Sequence, residues 1–373
     1  MKLKSVKKRK PVDMQLLIVT IILLLVGTIM VGSASTPVGL AEKGDPFLYL
    51  NKQLLFLVVG AVGMFFASRL SYRIYKKFAW QIYTLALIAT ALVFLPGLGA
   101  EVHDAKRWIV ILGIQFQTSE LLKLAVIIFV SHHLSVPGAS LEKKRSYLRY
   151  FIILCPVIVV LYFQPHLSAI IIISITTIVI LLVAGMKIRH FLMLAGAGIV
   201  LATAMILKDS WRLARVFAFL NPFDPKNATG DNYQIVQSLL AIGSGGWFGL
   251  GFGKSIQKIH NLPEPHNDFI FAIFAEEMGF FGCIILIGLF AFLIYRGYTI
   301  AFHAPDKFSS YVATGITTLI AVQVIMNILV VTSLMPVTGV SLPFISYGGA
   351  SLVVLMISIG ILLNISRQSI KNV

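Results

Sequence analysis

The chain has 373 residues, of which 58% are hydrophobic and only 12% are charged, and its mean hydropathy is +0.89. Soluble domains carry about 25% charged residues, so this composition excludes a soluble globular protein and favours a polytopic membrane protein. The formal net charge of +16 raises the question of nucleic-acid binding, but no zinc-finger, RRM or similar signature accompanies it.

Ten apolar runs are long enough to predict membrane-spanning helices. A basic segment, residues 1–13, precedes the first run, whose 19 residues exceed the usual core of a signal peptide, so we predict an uncleaved helix. The fourth and fifth runs are the weakest, because they are short and carry Lys123 and Arg149. The predicted spans are residues 14–34, 53–69, 78–97, 119–135, 148–163, 167–185, 190–207, 268–295, 309–333 and 343–365.

Basic residues indicate which ends of these spans face the cytoplasm. With the N-terminus inside, the cytoplasmic segments hold 20 of the 31 Lys and Arg residues, and the outer segments hold 10. Since cytoplasmic loops of membrane proteins carry the excess of Lys and Arg, both termini are predicted to be cytoplasmic. The net charge is then a consequence of topology, and we expect no nucleic-acid partner.

One outer segment, residues 208–267 between the seventh and eighth spans, is much longer than the others. It is neither of low complexity nor dominated by charge, and long loops of compact proteins are usually functional or disordered. Its glycine-rich stretch "GSGGWFGLGFGKS" (243–255) ends like a phosphate-binding loop, but Phe248 stands where that motif needs glycine. We therefore interpret the stretch as a tight, irregular loop that approaches the membrane.

Ionisable residues inside apolar runs indicate a charged partner or a polar cavity, because a charge at mid-bilayer costs about 2.5–3.5 kcal/mol. Glu120 and Lys123 stand on one helical face, which predicts an ion pair, the polar wall of a central cavity, or both. Glu276 and Glu277 point about 100° apart on a helix. They cannot both share a site with Asp268, and at least one should pair with a base, bond to backbone or be protonated.

The entry to the last span, "SLPFISYGGAS" (341–351), combines a glycine pair with hydroxyl side chains that include Ser346. Such a break at membrane depth is tolerated only where protein or a watery cavity satisfies the backbone. We therefore count Ser346 among the candidates for a cavity lining.

Five long stretches in this order resemble the SEDS family of FtsW, RodA and SpoVE proteins, and the resemblance runs from "VGSAS" (31–35) to "LLNISRQS" (362–369). It implies a single membrane domain, residues 1–373, of the all-α polytopic class with about ten transmembrane helices. The stretches are "QTSELLKLA" (117–125), "FLNPFDP" (219–225), "YQIVQSLLAIGSGGWFGLGFGKS" (233–255), "LPEPHNDFIFAIFAEEMGFFG" (262–282) and "VTGVSLPFISYGGAS" (337–351).

The resemblance implies a glycosyltransferase that polymerises lipid II into glycan strands at the outer face of the bacterial cytoplasmic membrane. It also implies a class B penicillin-binding transpeptidase and other division or sporulation membrane proteins as partners. "LLNISRQS" and "PVTGVSLPF" (336–344) read closer to FtsW and SpoVE than to the elongation-type RodA. A flippase for lipid-linked precursors, or a scaffold for a partner enzyme, is the alternative that ten spans with buried charges leave open.

Asp268 matches the acidic residue that this family needs for polymerisation. A sugar hydroxyl is a poor nucleophile until a base takes its proton, and a carboxylate at the membrane surface suits that task. The alternative is that Asp268 only caps the eighth helix, which Asp commonly does. Glu120 and Lys123 match the family pattern "SE..K", and Arg107 matches its "RWI" segment. His166 replaces the aspartate of the family's "QPDLG", so no role is transferred to it.

The diphosphate leaving group should attract cations, and the long outer loop supplies several. A divalent cation, Mg²⁺ or Mn²⁺, is compatible with the same chemistry, although the sequence identifies no metal ligand. The candidate cations are Arg212, Arg215, Lys254 and Lys258.

Overall fold

The structure is a computed structural model that describes residues 11–95, 99–102, 105–111, 114–137, 141, 144–223, 231–259 and 262–369. Within these residues, ten helices follow the ten predicted spans in order, and the all-α polytopic class is confirmed. They are α1 (Met14–Lys43), α2 (Leu48–Arg69), α4 (Ala79–Ala91), α5 (Thr118–Leu134), α6 (Lys144–Phe163), α7 (Leu167–Val183), α8 (Ile188–Lys208), α11 (Ile270–Phe302), α12 (Lys307–Val331) and α13 (Gly349–Arg367).

Three shorter helices connect or extend this set. Helix α3 (Tyr72–Lys77) joins α2 to α4, and a 3₁₀ turn (Leu92–Phe94) continues α4. Helices α9 (Ser210–Leu220) and α10 (Asp231–Ser244) lie in the long segment 208–267. That segment is therefore partly helical, in keeping with a composition too apolar for disorder.

A small antiparallel sheet stands between α4 and α5, where the sequence analysis predicted only an outer connection. Its strands are β1 (Gly99–Val102), β2 (Ala105–Ile111) and β3 (Ile114–Gln117), in the order β1-β2-β3. Trp108 of β2 pairs with Gln117, so β3 leads directly into α5. The short β2, "AKRWIVI", is too small to stand out in a hydropathy profile, yet it carries Arg107.

Burial separates a central group of helices from an outer group. Six helices (α1, α2, α8, α11, α12 and α13) are long and apolar enough to cross a membrane, with shorter apolar helices at 79–94, 149–163 and 167–183. The apolar windows of α12 and α13 are 78% and 83% buried, whereas that of α8 is 6% buried. Helix α5 is also mostly buried. The core is therefore built around α5, α12 and α13, with α8 facing outward.

Small residues allow the outer helix α2 to approach this core closely. Gly60 of α2 lies against Met356 of α13, and a Cβ on Gly60 would overlap the Met356 side chain. Close approach at small residues is the usual way in which helices associate in lipid, because lipid tails leave little hydrophobic gain.

An ion pair and a hydrogen bond connect the start of α1 to α11 and to the end of α13. The guanidinium of Arg296 in α11 lies 2.6 Å from the Asp13 carboxylate, which also caps α1. The amide of Asp13 donates to the hydroxyl of Ser366, near the end of α13. The start of the first span and the end of the last therefore lie on the same side of the molecule.

Candidate active site

The residues before α11 form a turn that holds Asp268 beside the C-terminal end of α12. Helix α11 begins at Ile270 with Phe269 as its N-cap, so the predicted start at residue 268 was two residues early and Asp268 is not the cap. The buried Asn327 side chain donates to the backbone carbonyl of Asp268 at 2.7 Å and to that of Val340 at 2.8 Å. The turn is thereby fixed to the segment that follows α12.

Aromatic rings support the other side of this turn. The buried His266 ring lies 4.3 Å from the Tyr49 ring and 5.5 Å from the Tyr347 ring. The Tyr347 amide donates to the His266 carbonyl at 2.8 Å, and Asn267 donates to the Glu264 carboxylate at 2.7 Å. Burial lowers the pKa of His266 to about 4, so this imidazole is neutral at physiological pH.

The surroundings of Asp268 tune its acidity. Its carboxylate is enclosed by protein, although part of the residue remains accessible to solvent. Burial, followed by the negative charge of Glu264, raises the pKa of Asp268 to about 6, while the positive charges of Arg107 and Arg215 act to lower it. A carboxylate in this range is ionised at neutral pH yet more basic than an exposed aspartate, which suits a general base.

A polar cavity lies beside Asp268. Gly339 has a positive φ of 66° and forms part of the cavity wall, and a Cβ on it would stand 3.4 Å from Oδ2 of Asp268. The cavity is small, with a volume of about 30 Å³, and it is partly open to solvent. Its lining consists of Gln117, Glu120, Lys123, His166, Ser168, Ala169, Ile172, Gln323, Gly339, Val340 and Ser341.

The predicted pair of Glu120 and Lys123 is confirmed. Nζ of Lys123 lies 2.7 Å from Oε1 of Glu120, and both side chains are buried. Because both residues also line the cavity, the pair serves at once as an internal ion pair and as a polar wall. The two interpretations that the sequence allowed therefore hold together.

Arg107 reaches from the sheet to the turn between α6 and α7. Its Nε donates to the carbonyl of Gln164 at 3.0 Å and its Nη2 to that of Pro165 at 2.6 Å. The next residue, His166, is buried in the cavity wall, and among the described residues its Nδ1 has no hydrogen-bond partner. Burial, with the charges of Arg107 and Lys123, holds the pKa of His166 well below its usual range. The cavity thus contains a neutral imidazole.

The four loop cations predicted from the sequence differ in placement. Lys258 is buried, and its Nζ lies 2.7 Å from Oε1 of Glu277 and 2.8 Å from the hydroxyl of Ser33 in α1. Lys254 is exposed. Arg215, in α9, acts electrostatically on Asp268. Arg212 lies in α9, but its side chain is outside the part of the chain that the structure describes.

The two adjacent glutamates of α11 hold the loop that precedes Asp268. Glu277 pairs with Lys258, which is the first of the three alternatives that the sequence left open for these glutamates. Glu276 is fully buried and accepts hydrogen bonds from the amides of Ile256 and Gln257 at 3.0 and 3.3 Å, and from the Ser255 hydroxyl. Both carboxylates therefore bind protein groups, although among the described residues Oε2 of Glu277 has no hydrogen-bond partner.

Ser346 closes a local turn at the entry to α13. Its buried hydroxyl accepts from the Leu342 amide at 2.8 Å, so the structure gives it a backbone-supporting contact and does not place it in the cavity lining. Within the described part of the chain, no three His, Cys, Asp or Glu side chains are grouped closely enough to hold a metal ion. We therefore assign no residue to the divalent cation that the sequence allowed.

Two residues of the site were absent from the sequence prediction. Asn327 is a polar amide inside the apolar run "VIMNILVV" (324–331), and a polar residue in such a run is a signal for a buried partner. Gly339 carries no such signal, because only the fold reveals that it lies against Asp268.

Comparison with known proteins finds similarity over nearly the whole chain. A family model for FtsW, RodA and SpoVE, described as "Cell cycle protein", matches residues 14–371. Stage V sporulation protein E of Bacillus subtilis is 39% identical over 366 residues, covering 98% of this chain and 99% of that protein. The probable peptidoglycan glycosyltransferase FtsW of Trichlorobacter lovleyi is 37% identical over 365 residues, covering 95% of this chain and 93% of that protein.

Solved structures share the fold. A chain from a structure of polymerisation and crosslinking by a peptidoglycan synthase complex matches with a TM-score of 0.79 and 26% identity, covering 95% of this chain and 97% of that one. The crystal structure of RodA from Thermus thermophilus matches with a TM-score of 0.71 and 28% identity, covering 96% of this chain and 98% of that one. The chain belongs to the FtsW, RodA and SpoVE family of polytopic membrane proteins.

Proposed function

We propose that Asp268 is the general base with which this chain, a membrane peptidoglycan glycosyltransferase, polymerises lipid II into glycan strands in cell division or sporulation. Two observations carry the proposal: the pKa of the Asp268 carboxylate is raised to about 6, and this carboxylate lies beside a polar cavity. Relatives named for this activity or for sporulation cover nearly the full chain in both directions.

The reaction joins two lipid-linked sugars. Asp268 takes the proton from the acceptor hydroxyl, and the resulting oxygen nucleophile attacks the anomeric carbon of the donor. The new glycosidic C–O bond forms as the bond from that carbon to the polyprenyl diphosphate breaks, and the diphosphate leaves with the bonding pair. Arg107 and Arg215, whose charges already act on Asp268, supply positive potential for the negative charge of donor and leaving group.

The polar lining of the cavity offers hydrogen-bonding groups to a sugar bound beside Asp268. These groups include the Glu120–Lys123 pair and the neutral His166 imidazole. A sugar offers hydroxyls to such groups, and a site that pairs them discriminates strongly against ligands that lack them.

A class B penicillin-binding transpeptidase is the proposed partner. The fold matches a chain from a solved structure of a peptidoglycan synthase complex that coordinates polymerisation and crosslinking. Crosslinking is the step that uses a nascent glycan strand, so an enzyme that makes strands gains from having a crosslinking enzyme beside it. Other division or sporulation membrane proteins and lipid II complete the proposed partners.

Both termini are proposed to be cytoplasmic, which places Asp268 outside the bacterial cytoplasmic membrane. The contact of Asp13 with Ser366 requires only that both termini lie on the same side of the membrane. The excess of Lys and Arg in the segments on that side identifies it as the cytoplasmic side. Cysteines at the exposed positions 73 and 254, in a protein whose Cys155 and Cys283 are replaced by serine, test this. An impermeant reagent applied to intact cells should label position 254 only, and labelling of position 73 alone would invert the topology.

The activity is tested with purified protein and lipid II in detergent, with glycan length read by gel electrophoresis. Polymer formed without a second compartment identifies a polymerase, since a flippase has no product in a single phase. No polymer, even with the partner transpeptidase present, would favour transport or scaffolding instead.

A further inference from the structure

Helix α11 is broken at Gly279, about a quarter of the way along its length. This residue has φ 66° and ψ −169°, a conformation that glycine adopts without a side-chain clash. A break inside a spanning helix frees backbone groups that lipid cannot satisfy. On the outer side of the break, the carbonyls of Glu276 and Glu277 accept hydrogen bonds from the amides of Leu250 and Gly251 at 2.9 and 3.1 Å.

The same glycine-rich segment satisfies the inner side of the break. The amide of Phe280 donates to the carbonyl of Gly246 at 2.9 Å, and the amide of Phe281 donates to the carbonyl of Trp247 at 3.2 Å. Residues 245–252 are therefore an integral part of the broken helix, and only their side chains remain free to meet other molecules.

Two side chains of this segment, Trp247 and Phe248, form an exposed aromatic patch with Phe280 and Phe281 of α11. The Trp247 ring lies 5.2 Å from Phe280 and 5.8 Å from Phe281, and the Phe248 ring lies 5.3 Å from Phe281. Trp247 and Phe248 are 64% and 81% exposed, and Phe280 and Phe281 are 51% and 47% exposed. We call these four residues the aromatic patch.

The length and burial of α11 fix the level of the aromatic patch in the membrane. Residues 270–277 are all buried in the protein, whereas beyond the break the helix buries one face and exposes the rest. The exposed part, residues 280–302, is about 34 Å long at about 1.5 Å per residue. This length is close to the roughly 30 Å of a bilayer's hydrocarbon core. The break, and with it the aromatic patch, therefore lies at the outer boundary of that core.

We propose that residues 245–252 form an interfacial anchor, which inserts the aromatic patch among the acyl chains just below the outer lipid headgroups. Tryptophan favours this boundary, and phenylalanine is common on the apolar face of segments that lie in it. Lys254, exposed two residues after this segment, lies where an ammonium group can reach lipid phosphates. The lipid-facing surface of α11 continues directly into the aromatic patch, so lipid covers both.

The anchor also connects to the site. It is followed by Ile256 and Gln257, whose amides bind Glu276, and by Lys258, which pairs with Glu277. The turn that carries Asp268 comes next. Given the proposed function, the anchor holds Asp268 at a fixed height above the lipid boundary, where lipid-linked sugars present their headgroups.

Depth-dependent fluorescence quenching tests the anchor without requiring activity. The full-length protein is reconstituted in phosphatidylcholine vesicles brominated at acyl carbons 6 and 7 or at carbons 11 and 12. The difference in emission between wild type and the Trp247→Phe variant isolates Trp247 from Trp80, Trp108 and Trp211. We expect at least twofold stronger quenching by the shallow bromines than by the deep ones, and little quenching by aqueous iodide.

Three results would overturn the proposal: quenching by iodide but not by lipid, stronger quenching by the deep bromines, or no quenching by either agent. The first places Trp247 in water, the second at mid-bilayer, and the third beneath another protein. A nitroxide at position 248, in protein with Cys155 and Cys283 replaced, gives an independent measurement. Collisions with oxygen should exceed those with a water-soluble nickel chelate, and the reverse order would contradict the anchor.

Discussion

The side-chain amide of Asn327 donates a 2.7 Å hydrogen bond to the backbone carbonyl of Asp268. Its second donor binds the carbonyl of Val340, which is next to Gly339 in the cavity wall. One buried side chain of α12 therefore sets the position of the proposed base relative to the cavity.

Replacement of Asn327 by Asp should reduce polymerisation at least tenfold. The variant keeps the shape of the side chain but loses the amide donors, and each buried carbonyl left unsatisfied costs about 1–3 kcal/mol. Initial rates with lipid II and thermal unfolding in detergent measure the two effects. Thr332→Val is the matched control, because the Thr332 hydroxyl at the end of α12 donates to carbonyls of the preceding turn. A rate for Asn327→Asp equal to that of the control would show that the turn does not depend on Asn327.

Asp268→Asn should abolish polymerisation while leaving the fold intact. Asparagine has nearly the same size and polarity but cannot take a proton, and loss of a general base lowers rates by about 10²–10⁴-fold. The variant should be produced in normal amounts and should still copurify with a transpeptidase partner. Near-normal glycan synthesis by Asp268→Asn would remove Asp268 from the mechanism.

The rate of polymerisation should rise with pH through a midpoint near 6. The pKa of Asp268 is raised to about 6, so the ionised base is about half populated at pH 6 and about one tenth populated at pH 5. Glu264→Gln removes a negative charge that raises this pKa and should move the midpoint down. Arg215→Gln removes a positive charge that lowers it and should move the midpoint up.

The same shift has a defined effect on stability. Because the folded protein binds the Asp268 proton more tightly than the unfolded chain, the cost of burying the charge is present above about pH 6 and absent below about pH 4. If neither Glu264→Gln nor Arg215→Gln moved the midpoint of the pH–rate profile, a group other than Asp268 would control the rate.

The sequence was sufficient wherever the signal was local. Long apolar runs predict spans because a bilayer requires about 20 apolar residues, and the spacing of Glu120 and Lys123 alone places both on one helix face. Contacts between distant residues were not predictable, since no period or motif links Asn327 to Asp268 or Lys258 to Glu277. The strand that carries Arg107 was missed for a similar reason, because its pairing partners become apparent only in the fold.

Lys258 and Lys254 should differ sharply when each is replaced by Met. Lys258→Met leaves the Glu277 carboxylate buried without its partner, which costs about 3–5 kcal/mol. It should lower the thermal unfolding temperature and loosen the loop before Asp268. Lys254→Met changes an exposed side chain and should leave the unfolding temperature unchanged. If both changes instead raised KM for lipid II without altering stability, both lysines would be contacts of the diphosphate, as their sequence positions first suggested.

Glu120→Gln should reduce the yield of folded protein and the rate of polymerisation more than Glu42→Gln does. The first change leaves the Lys123 ammonium without its counter-charge inside the protein, at a cost of about 3–5 kcal/mol. Glu42 is exposed and accepts a hydrogen bond from Tyr49. Equal behaviour of the two variants would rule out a stabilising role for the pair.

The double variant Glu120→Gln/Lys123→Met separates the two roles of the pair. It removes both charges, so the folded yield should recover most of what Glu120→Gln loses, because a neutral pair carries no uncompensated charge. The cavity wall then lacks its ionic groups, and polymerisation should stay low with a raised KM. Full recovery of activity together with yield would show that the pair stabilises the fold and does not bind substrate.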